Sequence, residues 1–242
     1  MQPSEHILTT FDQALHELRE TTLTMAVGAQ RNLQNTISGL LQRDKQLCNQ
    51  AIADDEDEDQ LEILIDNLGM QIIVRFQPVA TDLRMVIGAM KTSTNLERIS
   101  DQAVSIAKRS RKILKNEEIP EVGRIEGLYQ VAAALLADAI TAYADSNTEL
   151  ALSVIEQQKE LKKTHKKTSR FFSRKLETET AHYRDYLDLV LICRWLDRVG
   201  GLATNIAEDI VFEITSTDIR HGGELPRELT EDGSNSNGTP QI

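Results

Sequence analysis

The sequence predicts an all-α protein built as two similar three-helix bundles, with six long helices in total. Composition is the first reason. Aromatic residues make up 4% of 242, and 12 Gly and 5 Pro are few for that length, which suits helix cores of Leu, Ile, Val and Ala better than sheets. Periodicity is the second, since long segments carry apolar residues at i, i+3 and i+7, the stripe of a half-buried helix. The third is an internal repeat. Leu96, Arg98, Ala103, Ile106 and Ala107 recur as Leu196, Arg198, Ala203, Ile206 and Ala207, while Asp197 answers Glu97 and Val199 answers Ile99. Leu61 with Leu161 and Arg84 with Arg184 keep the same register, so the chain reads as a duplicated helical unit whose copies stack. A hydrophobic content of 40% is enough for the cores this requires.

Taken in order, Thr10 to Leu41 carries Phe11, Leu15, Leu18, Met25, Ala29, Leu33, Ile37 and Leu40, close to a heptad seam, and predicts one long helix with a Thr10/Gln13 capping box. Residues 44–53 predict a short helical continuation, and the run DDEDED at 54–59 an acidic break. Leu61 to Phe76 is the second long helix, and RFQPVATD the reversal, with Pro78 disfavouring a helical conformation at Gln77. Asp82 to Ser110 is the third. The pattern decays through Asn116 and Pro120, the expected linker between a first bundle at 1–116 and a second at 121–222. Glu121 to Ala144 predicts the fourth helix, Glu149 to Ile155 a short one, Glu160 to Leu176 the fifth and Tyr183 to Ile214 the sixth. Residues 223–242, rich in Gly, Ser and Asn, predict a disordered tail.

A formal charge of −11 argues against general nucleic-acid binding, which needs a basic footprint. The start MQPSEHILTTFDQ lacks the basic and apolar regions of a signal peptide, and no stretch reaches the eighteen or more uncharged apolar residues of a membrane span. A cytoplasmic location is expected. Cys48 and Cys193 have no metal-ligand spacing, and Cys193 reads as a small buried residue.

The chemistry-bearing feature is a pair of Glu-x-x-x-Asp motifs, Glu62/Asp66 and Glu97/Asp101, on successive helices. Each puts two carboxylates on one helix face, where they repel by a few tenths of a kcal/mol unless a cation intervenes. If the helices fold back about Val79 and Ala80, Glu62 falls level with Glu97, and Glu58 with Asp101. Four or five carboxylates in one patch suit a hard or borderline cation such as Mg²⁺, Ca²⁺, Mn²⁺ or iron, with only Arg98 as an internal counter-charge. A solvated acidic face is the alternative.

The segments NLERISDQAVSIA, RFQPVATDLR and TSTDIRHG resemble the signatures of the PhoU family, over about residues 5 to 222. The resemblance implies two three-helix bundles, multinuclear metal sites on the acidic motifs, and a regulatory role rather than a catalytic one. It implies a link between the ATPase subunit of a phosphate transporter and a sensor histidine kinase, with negative control of phosphate uptake and of the phosphate regulon. The metal expected from it is iron, zinc, manganese or magnesium. The copies are unequal: Asp101 corresponds to Gly201, Glu62 to Lys162 and Asp66 to Lys166, so the expected ligands are Glu62, Asp66, Glu97 and Asp101, in the first bundle alone.

A di-iron carboxylate enzyme is a competing reading, but it needs two Glu-x-x-His motifs and the chain has one, Glu179 to His182, at a helix reversal. A metal-free structural bundle is another. No Walker A motif or kinase signature occurs. His6, His16, His165 and His221 stand alone, and Trp195 and Tyr186 read as packing residues. Adjacent Gly200 and Gly201, inside a predicted helix, mark either a close approach or a bend. Residues 54–66 sum to −8 with no cation, whereas residues 159–175 hold eight cations against Glu160, a sum of +7. The basic stripe is expected to dock an acidic surface, either on a second copy, as in a homodimer, or on a partner protein.

Overall fold

The computed structural model describes residues 3 to 220, with side chains from Thr9 onward; the predicted tail at 223–242 lies outside the described residues. The chain forms α1 (Pro3–Leu41), α2 (Lys45–Ala53), α3 (Asp55–Phe76) and α4 (Ala80–Ile113), then α5 (Ile125–Asp145), α6 (Thr148–Thr178) and α7 (Tyr183–Thr215). Short 3-10 turns at Pro120–Arg124 and Thr180–His182 lead into α5 and α7. α1, α3 and α4 make the first bundle, with the short α2 closing one end, and α5, α6 and α7 make the second. The six long helices and the duplicated bundle are as the periodicity predicts.

Four expectations are corrected. The acidic run at 54–59 is not a break: Asp54 closes α2, and the next residues are already the first turn of α3. Carboxylates at Asp55, Glu56, Asp57 and Glu58 sit at the positive end of the helix dipole, where negative charge is favourable by about 0.3–1 kcal/mol each. Thr10 does not cap α1, which begins at Pro3. The segments at 149–155 and 160–176 are one continuous α6, because the polar stretch EQQKE between them consists of good helix formers. The fourth long helix starts at Ile125 rather than at Glu121, behind the 3-10 turn that Pro120 opens.

The reversal between α3 and α4 is drawn tight by Gln77 in the left-handed region (φ 49°), followed by Pro78. α4 and α7 pack against each other and form the seam of the molecule, with α1 also touching α5. α3 packs on the first-bundle helices and α6 on α5 and α7, so these two helices flank the seam. A single apolar core runs across both bundles, through Leu33, Ile99 and Ile106 to Leu135, Ile192, Leu196 and Ile206. Polar contacts pin the seam: Lys91 Nζ to Asp209 Oδ1 at 2.7 Å, Arg109 Nη1 to Asp188 Oδ1 at 2.8 Å, and Asn116 Nδ2 donating to Asp185 Oδ1 at 2.6 Å.

α5 with its preceding turn is the described helix long and apolar enough to suit a membrane, with a mean hydropathy of 1.2 over its most apolar window. Its apolar side is already used, since Leu128, Ala132, Leu135, Leu136 and Ala139 are buried in the core.

Candidate metal centre on the first bundle

The acidic face is built by α3 and α4 running antiparallel on either side of the Gln77 reversal. Asp55, Asp59, Glu62 and Asp66 recur at i, i+4, i+7 and i+11 on α3, which aligns them along one side of the helix. Glu97 and Asp101 occupy one turn of α4. Glu97 is half-buried. Its carboxyl is pushed up to about 7, by burial first and then by Asp101, Glu62 and Asp59, with Arg98 working the other way. Asp55 is raised too, by burial, Asp59 and Asp101, against an opposing effect of Lys108. Glu97 thus feels the charges of Glu62, Asp59 and Asp101, and Asp55 those of Asp59 and Asp101, so two carboxylates from the run read as a break share this face with the motif residues. The signal that would have found them is the i+4, i+7 spacing that ties Asp55 and Asp59 to Glu62.

One neighbouring carboxylate turns away from this face, and one expected ligand, Asp66, also borders a cleft. Glu58 is off the acidic face: it lies about 60° round the helix from Asp55 and turns inward against Gly28 of α1, 2% exposed. Burial pushes its carboxyl up to about 7, Arg31 opposes that, and Oε2 has no hydrogen-bond partner. Asp66 lines a cleft of about 820 Å³ between the bundles, together with Lys91, Arg98, Asn205, Asp209 and Arg220. Among the described residues no three carboxylate, imidazole or thiol groups already converge on one point suited to an ion. The cluster sets five carboxylates against Arg98 and Lys108 and keeps a net negative charge, the kind of donor set a hard cation neutralises.

In the second copy the matching positions carry different chemistry. Lys162 and Lys166 are exposed, and Asp197 lies 3.9 Å from His165 Nδ1, which makes the charge of that contact depend on the histidine. Glu179 and His182 are committed elsewhere, to Lys175 at 3.3 Å and to Asp185 at 3.6 Å. Burial pushes the thiols of Cys48 and Cys193 up to about 11 and about 12, which leaves them as inert packing groups.

Fold and site together define a duplicated three-helix-bundle protein with a carboxylate face on one copy and a cationic face on the matching helix of the other. The PhoU domain matches the chain twice, over residues 22–110 and 125–210, and the chain belongs to the PhoU family. It is 30% identical to the phosphate-specific transport system accessory protein PhoU homolog of Pseudomonas putida over 222 residues, which are 91% of this chain and 86% of that one. It is 26% identical to the accessory protein PhoU of Escherichia coli (strain K12), covering 93% of this chain and 95% of that one. The crystal structure of PhoU from Pseudomonas aeruginosa superposes with a TM-score of 0.83 at 27% identity, covering 86% of this chain and 100% of that one. The PhoU structure from Streptococcus pneumoniae, at 22% identity and a TM-score of 0.79, shares the fold over 86% of this chain and 98% of that one.

Proposed function

We propose that this protein is a cytoplasmic accessory regulator of phosphate transport, which restrains phosphate uptake and the phosphate regulon and carries a metal ion on the acidic face of α3 and α4. The regulatory half rests on the two PhoU-domain matches and on relatives that are accessory proteins of a phosphate-specific transport system. The partners it implies are the ATPase subunit of the transporter and a sensor histidine kinase. The role is adaptation between these proteins rather than catalysis.

The metal half rests on one observation: a half-buried Glu97 carboxyl on α4, pushed up to about 7 by burial first and then by the carboxylates of Asp101, Glu62 and Asp59. Glu62, Glu97 and Asp101 would hold the ion, with Asp55 and Asp59 at hand on the same face and Asp66 one turn beyond. When bound, the ion would neutralise charge and tie α3 to α4; iron, zinc, manganese and magnesium are the candidates. The second bundle keeps only Asp197 of the four acidic positions, and Lys162 and Lys166 offer no lone pair.

The test has two arms. Tagged protein purified from cells grown in high phosphate should recover the transporter ATPase, and deletion of the gene should raise phosphate uptake; unchanged uptake together with no ATPase recovery would overturn the regulatory reading. Metal content measured without chelator should fall to background in Glu97→Gln/Asp101→Asn, while Asp197→Asn keeps it. Retention in the double variant would remove the metal from this face.

A further inference from the structure

The outer face of α6 and the start of α5 enclose an open groove of about 860 Å³. Arg124, Lys163, Lys166, Lys167, Arg170 and Arg174 line it, against Glu126 and Glu160. Glu160 is spent on Lys163 at 3.4 Å, whereas Lys166, Lys167, Arg170 and Arg174 form no ion pair among the described residues. Like charges at three- and four-residue spacing on a helix disfavour it, yet this arrangement persists in a chain of net charge −11.

The fold does not require these cations. Across the internal repeat, Lys163, Arg170 and Arg174 correspond to Ile63, Met70 and Val74, which point outward from α3 at 54%, 53% and 72% exposure. The same outward stripe is therefore apolar in one copy and cationic in the other, and neither version packs the bundle. The groove is also shaped. Its side at Gly123 and Gly127 is bare, with no atom within 4 Å of where a Cβ would stand, so a bulky occupant reaches the backbone of the Pro120–Arg124 turn and of the first turn of α5. Arg124 is held with its guanidinium 4.0 Å from the centroid of the Phe171 ring, fixing one cation at the rim.

From these features we infer that the α5–α6 groove docks an acidic amphipathic helix of a partner protein. The cations at 163, 166, 167, 170 and 174 repeat every three or four residues over about 16 Å, the period at which a helix presents carboxylates along one side. The groove runs between two helices, and the open space over Gly123 and Gly127 leaves room for a helix whose carboxylate side meets these cations. Single-stranded nucleic acid is disfavoured, because the groove's aromatic ring is already covered by Arg124 and leaves no platform for base stacking. A second copy is disfavoured by topology. Its acidic face is on α3 and α4, a different surface from the α6 groove, so a second copy would have to bring two unlike surfaces together, and self-association is the outcome that separates it from a partner helix.

The test uses the full-length protein and a fluorescein-labelled helical peptide of about 15 residues with glutamates at i, i+4, i+7 and i+11, followed by anisotropy from about 0.05 to 0.5 M NaCl. A peptide of the same composition with scrambled glutamates and inorganic tripolyphosphate are the comparison ligands. The patterned peptide should bind and weaken with salt, and lose about tenfold in Lys163→Glu/Lys167→Glu/Arg170→Glu. Gly127→Leu leaves the charge unchanged and fills that bare side at an exposed helical position, so it should weaken the peptide about tenfold while leaving tripolyphosphate binding intact. Equal binding of the scrambled peptide, or indifference to Gly127→Leu, would overturn helix docking in favour of a general anion patch. Absence of peptide binding would overturn it outright. So would salt-sensitive self-association that the triple variant abolishes, because the occupant would then be a second copy.

Discussion

The side chain of Leu161 on α6 occupies the place where residue 200 on α7 would carry a Cβ, and only a glycine there lets the two helices close to this distance. Leu135 of α5 lies 3.3 Å from the same point, so three helices meet over Gly200. The neighbouring Gly201 faces open space. Of the two glycines, close approach accounts for Gly200 and not for Gly201.

Opposite effects on stability follow for two adjacent substitutions. Gly200→Ala should destabilise by about 1–3 kcal/mol, since Leu161 and Leu135 are fully buried and must shift into filled core. Gly201→Ala should stabilise by up to about 1 kcal/mol through helix propensity alone. Gly201→Asp, which restores the acid of the first copy, should fold normally. Urea melts of the three variants check this; a stable Gly200→Ala protein would show that α6 moves away freely.

Glu213 on α7 is enclosed between the bundles, close enough to α4 that a Cβ at Gly88 would stand 2.5 Å from its Oε2. Burial pushes its carboxyl up to about 7 and Asp209 adds to this, while Arg19 from α1 and Arg84 from α4 oppose it. Tyr143 of α5 shares the same small cavity. An acid whose folded value lies above its unfolded 4.5 gives its full stability below pH 4.5 and loses it as pH rises towards 7. Glu213→Gln, which cannot ionise, should match wild type near pH 4.5 and exceed it at pH 8 by about 1–3 kcal/mol. Denaturation midpoints at pH 4.5, 6 and 8 check the sign; a difference that does not change with pH would refute it.

The helices that form the seam were the most legible part of the sequence. α4 and α7 start and end within a few residues of their predicted bounds, because buried residues such as Leu96, Ile99, Ala103 and Ile106 recur at helical spacing. Polar runs misled. EQQKE breaks the apolar stripe of α6 without breaking the helix, and DDEDED resembles a loop although its charges favour a helix N-terminus. On the acidic face Glu62, Glu97 and Asp101 were readable from spacing, but Glu58 was placed by level along α3 rather than by angle around it, and Gly28 draws it inward. Glu213 gave no sequence signal, since Arg19, Arg84 and Gly88 reach it from distant segments.

Arg109 and Asp188 join α4 to α7 at 2.8 Å, with the aspartate side chain only 9% exposed. Removing the arginine alone strands a buried carboxylate, so Arg109→Ala should cost about 1–3 kcal/mol. Arg109→Ala/Asp188→Asn should recover part of that loss, because the second change removes the stranded charge. With Asp188→Asn alone as the third corner of the cycle, losses that simply add in the double variant would show that the pair contributes nothing beyond its separate side chains.

Metal binding to the α3–α4 face should appear as stability, because an ion that binds the folded protein alone shifts the folding equilibrium by mass action. At a free concentration one hundred times its dissociation constant the gain is about 2.7 kcal/mol. Apo protein prepared with chelator should therefore melt at a lower temperature, and a stepwise return of Mn²⁺, Fe²⁺, Zn²⁺ or Mg²⁺ should raise the melting point with saturation for the ion the face selects. The acidic face brings α3 and α4 carboxylates together across the Gln77 reversal, so the gain should vanish in Glu97→Gln/Asp101→Asn and shrink in Asp55→Asn/Asp59→Asn. The double variants should themselves be at least as stable as apo wild type, because each removes mutual repulsion among the carboxylates. That behaviour separates ligands from structural residues: loss of a structural residue lowers the melting point with and without metal, whereas loss of a ligand here raises or preserves it without metal and abolishes the increment. A melting point that rises equally in wild type and in both variants would place any ion elsewhere on the chain.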